Sequence, residues 1–152
     1  MHTSLQRRAL AGLIGTTLVA WGAQAADVQP AMPAPPTLAK VRAAIKTRNY
    51  DAALADLRTM EATTKTADVY NLMGFCLRKK GDRPQAMTYY RKALELDPNH
   101  KGALEYQGEL YVELGQLPQA KENLAKLSRL CPGGCEEQAD LKEAIEKAEK
   151  RA

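Results

Sequence analysis

The most reactive chemistry in this chain lies in a pair of cysteines. Cys131 and Cys135 flank Pro132-Gly133-Gly134. Adjacent glycines can take the backbone angles of a tight reversal, bringing two Cα atoms within the roughly 4.4–6.8 Å that a disulfide spans. A structural disulfide is therefore the leading expectation, provided the compartment is oxidising. Dithiol redox chemistry or metal handling by the same two residues is the alternative. A metal needs further ligands, and neither a C-x-x-C pair nor a C-x-x-C-H haem site is present. Beyond His2, His100 is the one imidazole available. No metal and no cofactor are expected. The third thiol, Cys76, stands alone and reads as a buried, unreactive side chain.

Catalytic sets are missing from the pattern. There is no Ser/His/Asp arrangement and no Gly-rich phosphate loop. His100 follows Pro98-Asn99, which is common turn chemistry. Glu136, Glu137, Glu143, Glu146 and Glu149 are spread along a helix with lysines near them, the pattern of a soluble surface rather than of general acid/base work. The chain is expected to have no catalytic residues and not to be an enzyme.

The redox expectation depends on where the protein resides, and residues 1–25 bear on this. Arg7 and Arg8 form a basic start, an uncharged run from Ala9 to Ala23 follows, and Ala23-Gln24-Ala25 places small residues at a cleavage site. This is the pattern of a secretory signal peptide cut after Ala25. The run falls short of the roughly 20 apolar residues of a membrane span, so no stable span is expected after cleavage. An uncleaved N-terminus, making a membrane-tethered assembly factor, is the weaker alternative. Gln6 before the arginines and Ala9-Leu10-Ala11 after them match a twin-arginine signal poorly. The expected location is the bacterial periplasm or outside the cell. Residues 26–36, with Pro30, Pro33, Pro35 and Pro36, read as an extended linker.

Composition favours helix. Only 5% of the 152 residues are aromatic, and Ala, Leu, Lys and Glu are abundant. The formal charge is +4, and loss of Arg7 and Arg8 leaves +2 with both signs interspersed. So small an excess does not call for nucleic acid. Oligomeric state has no signature in the sequence.

Shifting the chain by 34 residues superposes Gly74 on Gly108, Gly81 on Gly115, Pro84 on Pro118, Gln85 on Gln119, Ala86 on Ala120 and Pro98 on Pro132. That period in a helical composition predicts helix-turn-helix units stacked into a solenoid. Tyr70, Met73, Gly74 and Leu77 fall at i, i+3, i+4 and i+7, one stripe of a helix, and Ala86, Tyr90, Ala93 and Leu94 nearly repeat it. Gly74 and Gly108 are expected to let the two helices of a unit approach, and Pro84 and Pro118 to start helices without losing a needed donor.

These residues resemble the tetratricopeptide-repeat (TPR) family. Residues 67–100 carry its first-helix pattern, the Gly81-Asp82 turn, Ala86, Tyr90 and Ala93, and the Leu94-Glu95-Leu96-Asp97-Pro98 exit. Residues 101–134 keep Leu104, Gly108, Tyr111, Gly115, Ala120, Leu124 and Pro132, with Gln107 at a usually apolar position and Leu127 at a usual alanine. Asn49 to Leu54 match the turn and second helix of a degenerate unit over 37–66. Residues 135–152 place Leu141, Ala144, Ile145 and Ala148 on one stripe and read as a capping helix. The fold expected is all-α, a right-handed solenoid of about three units and a cap.

The resemblance implies a binding scaffold whose first helices line a concave groove for a protein or peptide. The faces left free by the core stripe carry Arg42 and Lys46 on the first unit and Asn71, Phe75, Arg78 and Lys79 on the second. The third carries Glu105, Glu109, Val112 and Glu113. A basic end and an acidic end would orient a partner of complementary charge. Merely solvated faces are the plainer reading. Phe75 would be a binding anchor if exposed, and core if packed on a neighbouring unit. Asn71 fits the TPR clamp for C-terminal carboxylates, but Phe75, Glu105 and Glu109 do not, so that specificity is not implied.

Overall fold

The computed structural model describes residues 34–151. The expected signal peptide and most of the linker lie outside them. Among the described residues there are seven helices and no strand. In order they are α1 (Leu38–Lys46), α2 (Tyr50–Thr63), α3 (Ala67–Lys79), α4 (Arg83–Leu96), α5 (Lys101–Glu113), α6 (Leu117–Leu130) and α7 (Glu136–Glu149). No helix there is long and apolar enough to cross a membrane.

Each helix packs on the next in sequence, and α5 also touches α3 and α7. This is a solenoid of three helical hairpins, α1/α2, α3/α4 and α5/α6, closed by α7. Local chemistry sets the helix starts. Thr37, Asn49, Thr66 and Asp82 each accept a backbone N–H from the first turn, satisfying a donor that the helix leaves orphaned. His100 does the same for α5, its Nδ1 accepting from Ala103 N at 3.0 Å. It is a helix cap rather than the plain turn residue expected.

The three hairpin turns share one closure. Gly81 and Gly115 hold φ of 89° and 72°, and the amide one residue later donates back to Leu77 O and Tyr111 O at 2.9 and 2.8 Å. In the first hairpin Arg48 takes this seat at φ 59°, and Asn49 N donates to Ala44 O at 2.9 Å. A side chain in the left-handed region costs about 1 kcal/mol relative to glycine, which is where the first unit departs most from the other two.

The main core runs through α1 to α5, with Val41, Leu57, Val69, Met73, Cys76, Tyr90 and Leu110 buried. Gly74 admits Tyr90 of α4: a Cβ on Gly74 would stand 2.6 Å from Tyr90 Cε1. Gly108 differs from expectation. It admits Leu141 of α7 and not a residue of its own hairpin, with an added Cβ 2.5 Å from Leu141 Cδ2. Leu141 and Ile145 thus join Leu104, Ala120 and Leu127 in a second core cluster. Gln107, polar where an apolar residue is usual, is buried because Asn123 Nδ2 donates to its Oε1 at 3.0 Å and also to Leu104 O.

Candidate functional site

The first helix of each hairpin and α7 together wall a recess of about 300 Å³. Its α3 side holds Asp68, Asn71 and Leu72, and its α5 side Gly102, Glu105 and Tyr106. Glu136, Glu137 and Asp140 close it from α7, while Arg42 and His100 stand at the other margin.

The margin is neutralised. Arg42 Nη2 lies 3.4 Å from Asp68 Oδ1, and His100 Nε2 3.5 Å from the same oxygen. The opposite wall is not. Glu105 is buried, and no ion pair among the described residues reaches Glu105, Glu136, Glu137 or Asp140. Burial pushes the Glu105 carboxyl up to about 8, helped by Glu109, Asp140 and Glu137 and opposed by Arg78. Asn71, 5% exposed, leaves its Oδ1 without a hydrogen-bond partner among the described residues. A Cβ on Gly102 would meet Asn71 Nδ2 at 3.1 Å, so this glycine keeps the floor of the recess open.

One turn along α5 the charges are satisfied internally. Arg78 of α3, its side chain 4% exposed, pairs with Glu109 and, at 3.3 Å, with Glu113. Arg83 Nε reaches Glu113 at 2.9 Å, and the Arg78 guanidinium lies 5.8 Å from the Tyr106 ring centroid. The expected division of the groove into a basic and an acidic end therefore collapses here: Arg78, Glu109 and Glu113 bind each other across the α3/α5 seam.

Phe75 is half-buried between Tyr50 of α2 and Tyr106 of α5, with ring centroids 6.4 and 4.9 Å away. Lys79 covers its ring at 5.2 Å. This is the packed alternative rather than the exposed anchor. Lys46 and Lys79 are exposed but do not line the recess, and Val112 is half-buried beside α7 and Leu117. Arg42, Asn71 and Glu105 do line it. Asp68, His100, Glu136, Glu137 and Asp140 were not expected there. For Glu136, Glu137 and Asp140 the signal lay in the first turns of α7, Glu137 standing one turn before Leu141 on the same stripe, whereas Asp68 comes from α3 and His100 from the cap of α5.

Cys131 ends α6 and Cys135 starts α7, and the two form a disulfide with Cα atoms 5.8 Å apart. Only Gly134 of the two glycines takes positive φ, at 87°. The link sets the start of α7, and so Glu136 and Glu137, against α5. Cys76 is buried, and burial pushes its thiol up to about 11, leaving it protonated at neutral pH. Among the described residues no group of three or more His, Cys, Asp or Glu could hold a metal.

A stack of helical hairpins with a recess along its first helices defines a helical-repeat solenoid, a fold suited to protein-protein interaction. Tetratricopeptide-repeat family models match residues 67–100 and 89–122. Cellulose synthase 2 operon protein C of Komagataeibacter xylinus is 35% identical over 98 residues, 64% of this chain and 8% of that protein. Among solved structures, the first TPR of Spaghetti (RPAP3) bound to an HSP90 peptide superposes with a TM-score of 0.63 at 19% identity, covering 74% of this chain and 89% of that one. PcrH in complex with the chaperone-binding region of PopD gives 0.62 at 19%, covering 75% and 89%. The chain spans from 8% to 42% of the curated relatives it matches. It has the tetratricopeptide-repeat fold, and residues 67–122 carry the repeat that the family's models describe.

Proposed function

We propose that this protein is an exported, non-catalytic adaptor that holds a segment of another protein in the recess walled by α1, α3, α5 and α7. The observation that carries this reading is the recess itself, an open space of about 300 Å³ bounded by polar groups that the chain leaves unsatisfied. Two structural relatives support it: the RPAP3 repeat was solved with an HSP90 peptide and PcrH with a region of PopD. Export rests on the Arg7-Arg8 start, the uncharged run and Ala23-Gln24-Ala25, and the periplasm is the oxidising compartment that suits the Cys131–Cys135 link. The units are taken as 37–66, 67–100 and 101–134, with the cap from 135.

The test is recovery of partners from envelope extract by the tagged protein and by Gly102→Leu, which fills the recess without changing charge. The expected result is a partner retained by the parent chain and lost by Gly102→Leu, with the two circular dichroism spectra alike. Equal recovery by both would place binding elsewhere. N-terminal sequencing of the exported protein should begin at Ala26.

A further inference from the structure

The unpaired carboxylates of the recess point to a particular ligand chemistry. Asp56, Asp68, Glu109, Glu113 and Glu149 each meet a basic side chain of another helix. Glu105, Glu136, Glu137 and Asp140 meet none among the described residues, yet they converge on one space. Three sit on the first turns of α7, where the disulfide at Cys135 fixes them, and the fourth faces them from α5. Mutual repulsion at such a site disfavours the apo state and favours any cation that enters.

A second observation lies at the base of the recess. Asn71 is 5% exposed with an acceptor oxygen unpartnered, and Glu105, at 7% exposure, also lacks a cation. Both line the space. Buried acceptors are ordinarily satisfied, and the Asn71 oxygen lacks only a donor. The carboxyl of Glu105 is raised to about 8, as befits an acid waiting for a counter-charge. The walls are not wholly polar. Leu72 and the Tyr106 ring also line the recess, a surface for a methylene stem leading to a charged head.

We infer that the recess is a subsite for a lysine or arginine side chain of the bound segment, its stem lying on Leu72 and Tyr106 and its cationic head held by Glu105, Asp140, Glu137 and Asn71. This inference rests on the adaptor reading for its ligand being part of a peptide. Metal ions are a poorer match, since no three of these acids stand close enough to share one.

The probes are the blocked pentapeptides acetyl-Ala-Ala-Lys-Ala-Ala-amide and its arginine counterpart, with norleucine and glutamate at the centre as controls. They are titrated into the 15N-labelled protein. The cationic peptides are expected to shift the Gly102 amide and the Asn71 side-chain amide in a saturable way, and the norleucine and glutamate peptides to leave them in place. Glu105→Gln and Asp140→Asn should each weaken binding at least fivefold, and together at least twentyfold, while Glu143→Gln on the far face of α7 leaves it unchanged. Glu105→Gln keeps the side-chain volume, and thermal unfolding checks that each variant is folded.

Equal shifts from norleucine, or binding indifferent to Glu105 and Asp140 in folded variants, would overturn the subsite. Saturation by calcium chloride or by spermidine at concentrations where the lysine peptide does nothing would overturn it in favour of an ion or a free polyamine. The two readings fail separately. A partner lost with Gly102→Leu but retained by Glu105→Gln/Asp140→Asn removes the cation subsite and leaves the adaptor, whereas lysine-peptide binding with no envelope partner does the reverse.

Discussion

Glu105 and Glu109 are one helical turn apart on the same face of α5, and their fates are opposite. Glu109 receives the Arg78 guanidinium, which Glu113 also shares, and the cluster ties α3 to α5 with its charges balanced. Glu105 receives nothing and faces three more acids across an open space. Glu105 is buried and Glu109 half-buried, so the acid more removed from water is the one without a cation. The difference is whether the chain supplies the counter-charge itself. Where it does, the cluster is an internal seam between repeats; where it does not, the acid keeps its proton until a cation enters.

This contrast can be broken most severely at Arg78. Replacing it with Met leaves Glu109 without a cation and Glu113 with Arg83 alone, and because both are partly solvated the expected loss is about 2–3 kcal/mol. Urea unfolding measures it, and adding Glu109→Gln, which removes the carboxylate left alone, should recover most of the loss. No recovery would mean that Arg78 acts by packing alone.

Glu105→Gln should act in the other direction and only at high pH. The wild-type carboxyl is raised from 4.5 to about 8, so between these values the folded state holds a proton that the unfolded chain releases. Stability therefore falls as pH rises through that window, and the cost is complete above pH 8. The variant lacks this slope. The two proteins should be equally stable near pH 4, and the variant more stable at pH 9 by ~2 kcal/mol, the roughly 5 kcal/mol that the full shift would carry being reduced by solvent screening at the open recess. Parallel stability curves across this range would show that Glu105 finds a counter-charge in solution.

The smallest effect is expected from Cys131→Ser with Cys135→Ser. The closed loop is short, so its removal costs ~1–2 kcal/mol in the chain-entropy view. The more telling readout is hydrogen exchange: amides early in α7 should exchange faster, and those around Arg78 should not change. Uniform acceleration would show that the disulfide supports the whole stack instead of the recess.

The sequence made the architecture legible because repetition is a global signal. Glycines, prolines and small residues recurring at one spacing mark both the turns and the stripes, and α3 to α6 fall where that pattern puts them. The first turn was read from Asn49 to Leu54 although its glycine seat is taken by Arg48, whose backbone holds the glycine conformation without the glycine. The recess was legible only in part. Arg42, Asn71 and Glu105 follow from helix register, but the partners across the space come from α7 and from the cap of α5, and register within one helix says nothing of them. Arg78 was misplaced for a related reason. A long cation on a free face reads as solvent-exposed until a neighbouring helix brings two carboxylates over it.

The seat of Leu141 over Gly108 has a consequence for the order of assembly. Most packing in this chain joins helices adjacent in sequence, which form early because little loop entropy is lost in closing them. Leu141 instead reaches past α6 to α5, so α7 can dock only after the α5/α6 hairpin exists to receive it. The acids of α7 arrive with that last step. The recess is complete only in the fully docked chain, and any ligand that bridges α5 and α7 slows the undocking of α7 by the same contacts with which it binds.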